Sequence, residues 1–292
     1  RMGMRIRTNV ASLTAQRFLQ RNNNELQTSM ERLSSGFRIN KSADDAAGLA
    51  ITENLRGKIR GLNVAKRNAN DAISLVQVAE GSMNEMTNIL IRLRELTVQS
   101  ATDTIGEQER SFLNREFVQL VDELDRIAAT TEFNNVKLFD PDAKDQFVIQ
   151  VGTNGTDPSE NLDTVSIDTS GLKINSEQLG FGKAAEIGPE DSESTGPTRG
   201  DIAEKLKTVD NALTKIAGER ANLGSVQNRL NSALNNLSIS MENQQTARSR
   251  IKDVDFAAET ARFTQSQIMT SSGTSVLAQA NAAPEMALQL LR

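Results

Sequence analysis

Chemistry in this chain can rest only on carboxylates, lysines, arginines and hydroxyl groups, because its 292 residues include no His and no Cys. The absence of both residue types excludes Cys–His nucleophiles, Ser–His–Asp triads and the usual zinc sites. Without Cys there is also no disulfide framework. The remaining carboxylates and lysines show no convergent acid–base arrangement along the sequence. We therefore predict that the protein is not an enzyme and uses no cofactor or metal.

Charge divides the chain into a basic end and an acidic middle. Residues 1–70 hold 13 Lys/Arg and 5 Asp/Glu, whereas residues 141–200 hold 4 and 11. The net charge of −5 argues against a nucleic-acid partner. No stretch approaches the roughly 18 consecutive apolar residues of a membrane span, and no secretory apolar block follows Arg5 and Arg7. These rules alone predict a cytoplasmic protein that does not insert into membranes.

Both flanks of the sequence carry apolar residues at alternating spacings of three and four, the pattern of helices that pack lengthwise. A first helix is predicted to end at Gly36. The pattern Ser42–Asp45 resembles a capping box and predicts the start of a second helix of about 50 residues, roughly 75 Å long. A third helix is predicted after Gly106. The apolar seam of the second and the later helices consists of Leu55, Leu62, Ile73, Val76, Leu90, Leu213, Leu223, Leu230 and Leu237.

In the middle of the sequence, the helical repeat of apolar residues gives way to a repeat of two. Alternation in residues 147–151 and 165–167 predicts a β-hairpin. Residues 182–200 are rich in Gly, Pro and acidic residues, which predicts an exposed loop. A final amphipathic helix is predicted over about 251–291, with weak points or kinks at Gly273 and Pro284.

The predicted fold class is mainly α, a long helical rod or coiled-coil bundle with a small β-hairpin at its far end. An ordinary cytoplasmic helix bundle would show the same seams. The two terminal segments nevertheless have no further partner in the sequence, and a single pair of amphipathic helices is marginal in water. Such ends dock onto other copies or stay disordered until they do.

Four strings of residues resemble the bacterial flagellins. Residues 33–51 (LSSGFRINKSADDAAGLAI) are similar to the N-terminal signature of that family, and residues 223–230 (LGSVQNRL) to its C-terminal rod motif. Residues 249–260 (SRIKDVDFAAET) and 277–281 (LAQAN) resemble its terminal domain. The strings lie in the family's order on both flanks, so the chain is identified as a member of that family.

The resemblance implies a minimal flagellin with two core domains. Residues 1–41 and 251–292 would pair as the inner coiled coil, whereas residues 42–181 and 201–250 would form a rod domain that carries the hairpin. The acidic segment 182–200 would occupy the place where larger flagellins insert further domains. The residues expected in the inner coiled coil are Leu26, Met30, Leu33, Phe256, Phe263 and Leu277.

The resemblance also implies a function and a set of partners. The chain would be a structural subunit that self-assembles into the flagellar filament and is exported unfolded by the flagellar type III apparatus. This implication replaces the cytoplasmic location with an extracellular one. Expected partners are other copies, an export chaperone on about residues 251–292, and the filament cap and hook-junction proteins. The alternatives are a hook–filament junction protein of the same superfamily and a cytoplasmic coiled-coil scaffold.

A further resemblance concerns an immune receptor. Residues 90–99 (LIRLRELTVQ) are similar to the segment that the flagellin-sensing Toll-like receptor recognises. The resemblance assigns the central charged contact to Arg92, places Leu96 on the same face one turn later, and assigns an acidic contact to Glu116. The alternative is that Arg92 and Glu116 are solvated charges or an ion pair between subunits.

Overall fold

The computed structural model describes residues 8–141, 143–153, 163–182, 187–188 and 199–289. Most of these residues are helical, which confirms the mainly α fold class. The helices are α1 (Val10–Ser35), α2 (Ala46–Ser100), α3 (Glu107–Thr130), α4 (Arg199–Lys252) and α5 (Phe256–Gln289). The strands are β1 (Glu132–Phe133), β2 (Val136–Lys137), β3 (Gln146–Gln150) and β4 (Thr164–Asp168).

The chain divides into two compact units. Residues 1–59 and 242–292 form one unit, called here the terminal unit, and residues 60–241 form the central unit. Helices α2 and α4 each contribute residues to both. The domain boundaries implied by the family resemblance, at 41/42 and 250/251, instead fall beside the turns at which α1 ends and α5 begins.

The first turn between helices differs in detail from the sequence prediction. Helix α1 ends as predicted, because Gly36 adopts a left-handed conformation with φ of 74° and its N–H donates to the carbonyl of Arg32. Helix α2 begins at Ala46, and the carboxylate of Asp45 accepts a hydrogen bond from the N–H of Gly48 at 2.8 Å. Asp45 therefore caps the helix, and the prediction of a capping box that starts at Ser42 is wrong.

The predicted hairpin is confirmed as the antiparallel pair β3–β4. Phe147 lies opposite Ile167 and Ile149 opposite Val165. Val165 and Ile167 are buried, whereas Val148 on the other face is exposed. This alternation is the physical basis of the period-two pattern in the sequence.

A second, shorter hairpin was not predicted. Strands β1 and β2 are joined by Asn134 and Asn135, both of which have positive φ, at 51° and 62°. Two consecutive residues of this kind form the type I′ turn that matches the twist of a hairpin. Two-residue strands carry too few positions to show a period, so only the Asn pair could have indicated the turn.

The central unit is built around one large apolar core, beside which Leu62, Ala65 and Leu237 form a smaller apolar cluster. Residues 60–100 of α2 would extend about 60 Å at the helical rise and face α3, α4 and the hairpins. Alanines at positions 69, 72 and 79 of α2 are buried, and such small side chains allow neighbouring elements to approach closely. Phe117 of α3 meets Phe181 edge to face, with 6.3 Å between ring centroids.

Part of the acidic segment at 182–200 is not an exposed loop. Ile187 is fully buried, its N–H donates to the side chain of Asn114, and its carbonyl accepts from the hydroxyl of Ser100. The neighbouring Gly188 lies so close to the backbone of Arg110 that a Cβ would stand 2.5 Å from its carbonyl oxygen. The prediction of exposure is therefore wrong at 187–188, and residues 183–186 and 189–198 lie outside the described residues.

The last helix runs without interruption past Gly273 and Pro284, and the weak points or kinks expected at these residues stay a prediction. A Cβ at Gly273 would lie 3.3 Å from the side chain of Leu19 in α1. This glycine is thus a site where two helices approach closely.

Candidate assembly interface

Helices α1 and α5 pair antiparallel within the terminal unit. Asn9, which precedes α1, donates from its side chain to the carbonyl of Ala280 at 2.8 Å. Near the other end of α1, the hydroxyl of Ser29 donates to the carboxylate of Glu259 at 2.7 Å. The beginning of α1 therefore meets the end of α5, and the end of α1 meets the beginning of α5.

The residues on the facing sides of these two helices, called here the seam, recur at spacings of three and four, as in a coiled coil. Its residues on α1 are Ser12, Ala15, Leu19, Asn22, Leu26, Ser29 and Leu33. Those on α5 are Glu259, Phe263, Ser266, Thr270, Gly273, Leu277 and Ala280. One of the two repeating positions holds mainly Leu and Phe, while the other holds small or polar side chains. A seam of this kind buries little apolar surface for its length.

Four residues predicted for the inner coiled coil lie in this seam: Leu26, Leu33, Phe263 and Leu277. Met30 and Phe256 do not, since they are 54% and 57% exposed, and their assignment to the seam is wrong. Either Ser29 or Met30 could lie between Leu26 and Leu33 on one face of a helix. In the structure Ser29 faces α5, where it donates a hydrogen bond to Glu259. Phe256 begins α5 at a level where α1 has already ended.

Glu259 is the most buried charged group of the terminal unit among the described residues, with 3% of its surface exposed. Besides the bond from Ser29, its carboxylate lies 3.6 Å from Arg262 and 3.9 Å from Arg32. A buried carboxylate is costly unless it is paired and hydrogen-bonded. Arg262 lies on α5 itself, whereas Ser29 and Arg32 reach the carboxylate only when α1 and α5 are aligned in this register.

Large apolar side chains lie on the outer faces of the same two helices. The exposed ones are Val10, Leu13, Phe18 and Met30 on α1, and Phe256, Ile268, Met269 and Val276 on α5. Part of the α5 face, from Phe256 to Met269, forms a shallow, open groove that is lined mainly by apolar atoms of α5 alone. The helix pair therefore buries polar side chains beside the Leu and Phe residues of its seam and leaves other large apolar side chains exposed, unlike an isolated soluble hairpin.

The turns that flank this helix pair are joined by backbone hydrogen bonds. The N–H of Arg38 donates to the carbonyl of Lys252 at 2.7 Å, and the N–H of Val254 donates to the carbonyl of Gly36 at 3.0 Å. The ammonium of Lys252 also lies 4.9 Å from the ring centre of Phe37. These contacts hold the start of α5 beside the end of α1.

The residues expected at an immune-receptor contact lie in the central unit. The guanidinium of Arg92 on α2 binds the carboxylate of Glu116 on α3 at 2.7 Å and that of Glu95 at 3.0 Å. The hydrogen bond that the guanidinium of Arg92 donates to the carboxylate of Glu116 is the main reason that the pKa of Arg92 is raised. Arg92 and Glu116 thus form an exposed ion pair within one chain.

Leu96 does not share that surface. Its side chain is fully buried in the core of the central unit, so its assignment to an exposed face beside Arg92 is wrong. Positions i and i+4 lie about 40° apart around a helix, and the boundary between surface and core falls between these two residues.

The predicted apolar seam of α2 and α4 lies mostly in the central core. Its buried members are Leu62, Val76, Leu90, Leu223, Leu230 and Leu237, and its partly buried members are Ile73 and Leu213. Leu55 is half-buried and belongs to the terminal unit. In the part of the chain that the structure describes, no helix is long and apolar enough to cross a membrane.

Comparison with known proteins gives this arrangement a family. The family model for the bacterial flagellin N-terminal helical region matches residues 6–144, and that for the C-terminal helical region matches residues 206–291. A flagellin of Halalkalibacterium halodurans is 44% identical over 289 residues, which cover 99% of this chain and 100% of the relative. This chain belongs to the bacterial flagellin family. As a flagellin, it is a structural subunit of the flagellar filament.

Two further comparisons bear on this flagellin. The flagellar filament 33 kDa core protein of Treponema phagedenis is 40% identical over 298 residues, covering 99% of this flagellin and 100% of the relative. A solved structure from Vibrio parahaemolyticus, assigned as a flagellar hook-associated protein, is 14% identical with a TM-score of 0.58. It covers 72% of this flagellin and 100% of that chain, and at this identity it shows a shared fold alone.

Proposed function

We propose that this flagellin polymerises into an extracellular filament by burying the outer faces of α1 and α5 against neighbouring copies. The observation that carries the proposal is the distribution of side chains on this helix pair, with Ser29 and Glu259 inside and Phe18 and Ile268 outside. Exposed apolar patches on a soluble chain mark surfaces that bind partners. Here the fitting partner is a second copy, because the exposed patch spans both helices of a structural subunit.

Burial of these faces provides the driving force. Complete burial of one large apolar side chain contributes about 1.5–3 kcal/mol, and these side chains are about half exposed in the single chain. The gain must exceed the entropy lost on ordering the terminal helices. Since the seam between α1 and α5 is partly polar, the pair becomes fully stable only in the polymer. Head-to-tail contacts that do not close into a ring then extend as a helical filament.

The test is a comparison of two substitutions at one position, Ile268→Glu and Ile268→Leu. Glutamate places a charge on the outer face of α5, whereas leucine keeps the position apolar with the same number of carbon atoms. We expect Ile268→Leu to polymerise as the parent chain does and Ile268→Glu to stay soluble after high-speed sedimentation. Circular dichroism of the two monomers should agree. Filaments of normal yield from Ile268→Glu would contradict the proposal.

The outer face of α5 also suits a partner that acts in export from the cell. We propose that the chain leaves the cell unfolded through the flagellar type III apparatus and that an export chaperone holds α5 until then. An amphipathic helix suits a groove-shaped partner, and the face from Phe256 to Met269 is the apolar side that such a partner would cover. A purified flagellar chaperone should bind the parent chain and Ile268→Leu, and lose affinity for Ile268→Glu. Cap and hook-junction proteins would contact the same terminal unit at the filament ends.

Recognition by the flagellin-sensing Toll-like receptor is proposed for the α2–α3 surface around Arg92 and Glu116. Support comes from the exposure of both side chains, which lie 2.7 Å apart and are free to exchange partners with a receptor. Reporter cells that express the receptor should respond less to Arg92→Ala and Glu116→Ala monomers than to the parent chain. An unchanged response to both variants would remove these residues from the receptor contact.

A further inference from the structure

Among the side chains of α1 and α5 that the structure describes, two methionines lie on the outer faces of the helices. Met30 on α1 is 54% exposed and Met269 on α5 is 47% exposed, whereas Met83 and Met86 in the central core are fully buried. A thioether at a helix–helix seam would be shielded from dissolved reagents. The thioethers of Met30 and Met269 are not shielded in this way, because both side chains lie outside the seam. At the level of Met30, Ser29 occupies the seam instead.

Met269 lies on the proposed assembly face, so polymerisation would change its environment. It lines the groove on the outer face of α5 together with Ile268 and Gln265. It also lies at the edge of the groove between the two helices, which contains Arg17 and Arg21. In the single chain both grooves are open to water.

We propose that Met30 and Met269 are modification sites whose oxidation to the sulfoxide controls polymerisation. With hydrogen peroxide as the oxidant, the thioether sulfur attacks one peroxide oxygen and the O–O bond breaks. The sulfur gains that oxygen and loses two electrons, while the other oxygen leaves as water with both hydrogens. Exposure determines which sulfurs react, so Met30 and Met269 are oxidised before Met83 and Met86.

The inference rests on the proposed assembly face and makes that face sensitive to redox conditions. A sulfoxide replaces an apolar thioether with a strong hydrogen-bond acceptor, which has no partner when buried against another subunit. Oxidation therefore raises the critical concentration for polymerisation, by about tenfold for one such group left unpaired in the contact. Within a filament the same sulfurs are covered and react slowly. Enzymes that reduce methionine sulfoxide restore the thioether and with it the capacity to assemble.

The experiment compares the full chain with the double variant Met30→Leu and Met269→Leu. Monomers of both are treated with limiting hydrogen peroxide, the modified sites are located by peptide mass spectrometry, and the critical concentration is measured by sedimentation. The parent chain should carry sulfoxide at positions 30 and 269, with little at 83 and 86, and its critical concentration should rise about tenfold for each sulfoxide, or about a hundredfold when both are present. The leucine variant serves as its own reference: its critical concentration should be the same before and after treatment, because leucine has no sulfur to oxidise.

Three outcomes would overturn the inference. Sulfoxide at positions 83 and 86 before 30 and 269 would refute the order set by exposure. Normal polymerisation of a chain fully oxidised at 30 and 269 would show that these sulfurs do not control assembly. An equal rise in the critical concentration of the peroxide-treated leucine variant would show that oxidation of other residues impairs polymerisation. The assembly face itself is tested separately by Ile268→Glu. Normal filaments from that variant would refute the proposed assembly face, whereas the three outcomes above would refute the role of methionine oxidation.

Discussion

At the residue scale, Glu259 shows how a polar group can specify one pairing of two helices. Its carboxylate is buried between α1 and α5, where it accepts a hydrogen bond from Ser29 and lies near Arg32 and Arg262. A shift of one helix turn would separate Glu259 from Ser29 and leave the carboxylate without its hydroxyl donor. Apolar residues tolerate such a shift better, because Leu against Leu is favourable in several registers.

Removal of the hydroxyl of Ser29 should therefore loosen the helix pair. We expect Ser29→Ala to destabilise the pairing of α1 with α5 by about 1–3 kcal/mol, the cost of leaving a buried acceptor unsatisfied. Hydrogen exchange of the α1 amides measures the effect. The matched control is Thr28→Ala, since the hydroxyl of Thr28 is exposed and binds only the carbonyl of Asn24 in its own helix. Equal loss of protection in both variants would contradict this role of Ser29.

Asp44 gives the turn before α2 a dependence on pH. Its carboxylate accepts hydrogen bonds from the N–H groups of Lys41 and Asn40, and these bonds lower the pKa of Asp44. A lowered pKa means that the charged form stabilises the folded turn above the pKa of the unfolded chain, and that this contribution is lost as the pH falls through the lower folded value. The turn should thus loosen only below about pH 4.

A carboxyl titration by NMR tests this expectation. The midpoint for Asp44 should lie below that of an unstructured aspartate, and the amide signals of Asn40 and Lys41 should move with it. In Asp44→Asn these amide signals should show no matching transition. A midpoint at or above the ordinary value would contradict the hydrogen-bonded turn.

At the scale of elements, the end of α1 depends on one backbone conformation. Gly36 has φ of 74°, in a region that costs other residues about 1–2 kcal/mol. We expect Gly36→Ala to destabilise the terminal unit by about 1 kcal/mol, measured as loss of amide protection in α1 and α5. Gly57→Ala is the control, because Gly57 lies inside α2 with open space around its Cβ position, where alanine favours the helix. A stabilising Gly36→Ala would contradict the cap assignment.

The elements differ in how well the sequence predicted them. The hairpin β3–β4 was predictable because one face is buried, which enforces alternation in Phe147 to Val151. The cap of α2 was ambiguous because Ser42, Asp44 and Asp45 can each accept a helix N–H, and only the backbone path selects Asp45. The burial of Ile187 was not predictable from its acidic neighbours, since it depends on Asn114 and Ser100 from distant elements.

At the scale of the whole molecule, the terminal helices should be dispensable for the central unit and essential for the filament. The core of the central unit draws on residues 60–241, so deletion of residues 251–292 leaves that core complete. We expect the truncated chain to form no filaments while its central unit still unfolds cooperatively. Electron microscopy and thermal unfolding measure the two properties. Filaments of normal length from the truncated chain would contradict the assembly proposal.

Polymerisation should also order the ends of the chain. Because the seam between α1 and α5 contains Asn22, Ser29 and Glu259, the isolated pair is weakly stabilised. Far-ultraviolet circular dichroism should show a gain of helix when monomers polymerise, and the gain should disappear in the chain that lacks residues 251–292. An equal helix content in monomer and filament would show that the ends are ordered before assembly.

Patterns along the sequence were enough to predict which segments are helical, where the hairpin lies and which family the chain resembles. These features follow from local periods, from Gly36 as a helix stop and from strings that keep their order on both flanks. Which residues face which partner became known from the folded structure. It placed Ser29 rather than Met30 in the seam, buried Leu96 beside the exposed Arg92, and turned the apolar side chains of α1 and α5 outward. The physical reason is that a period fixes the spacing of a face, while the register and the burial of that face depend on contacts between segments far apart in the chain.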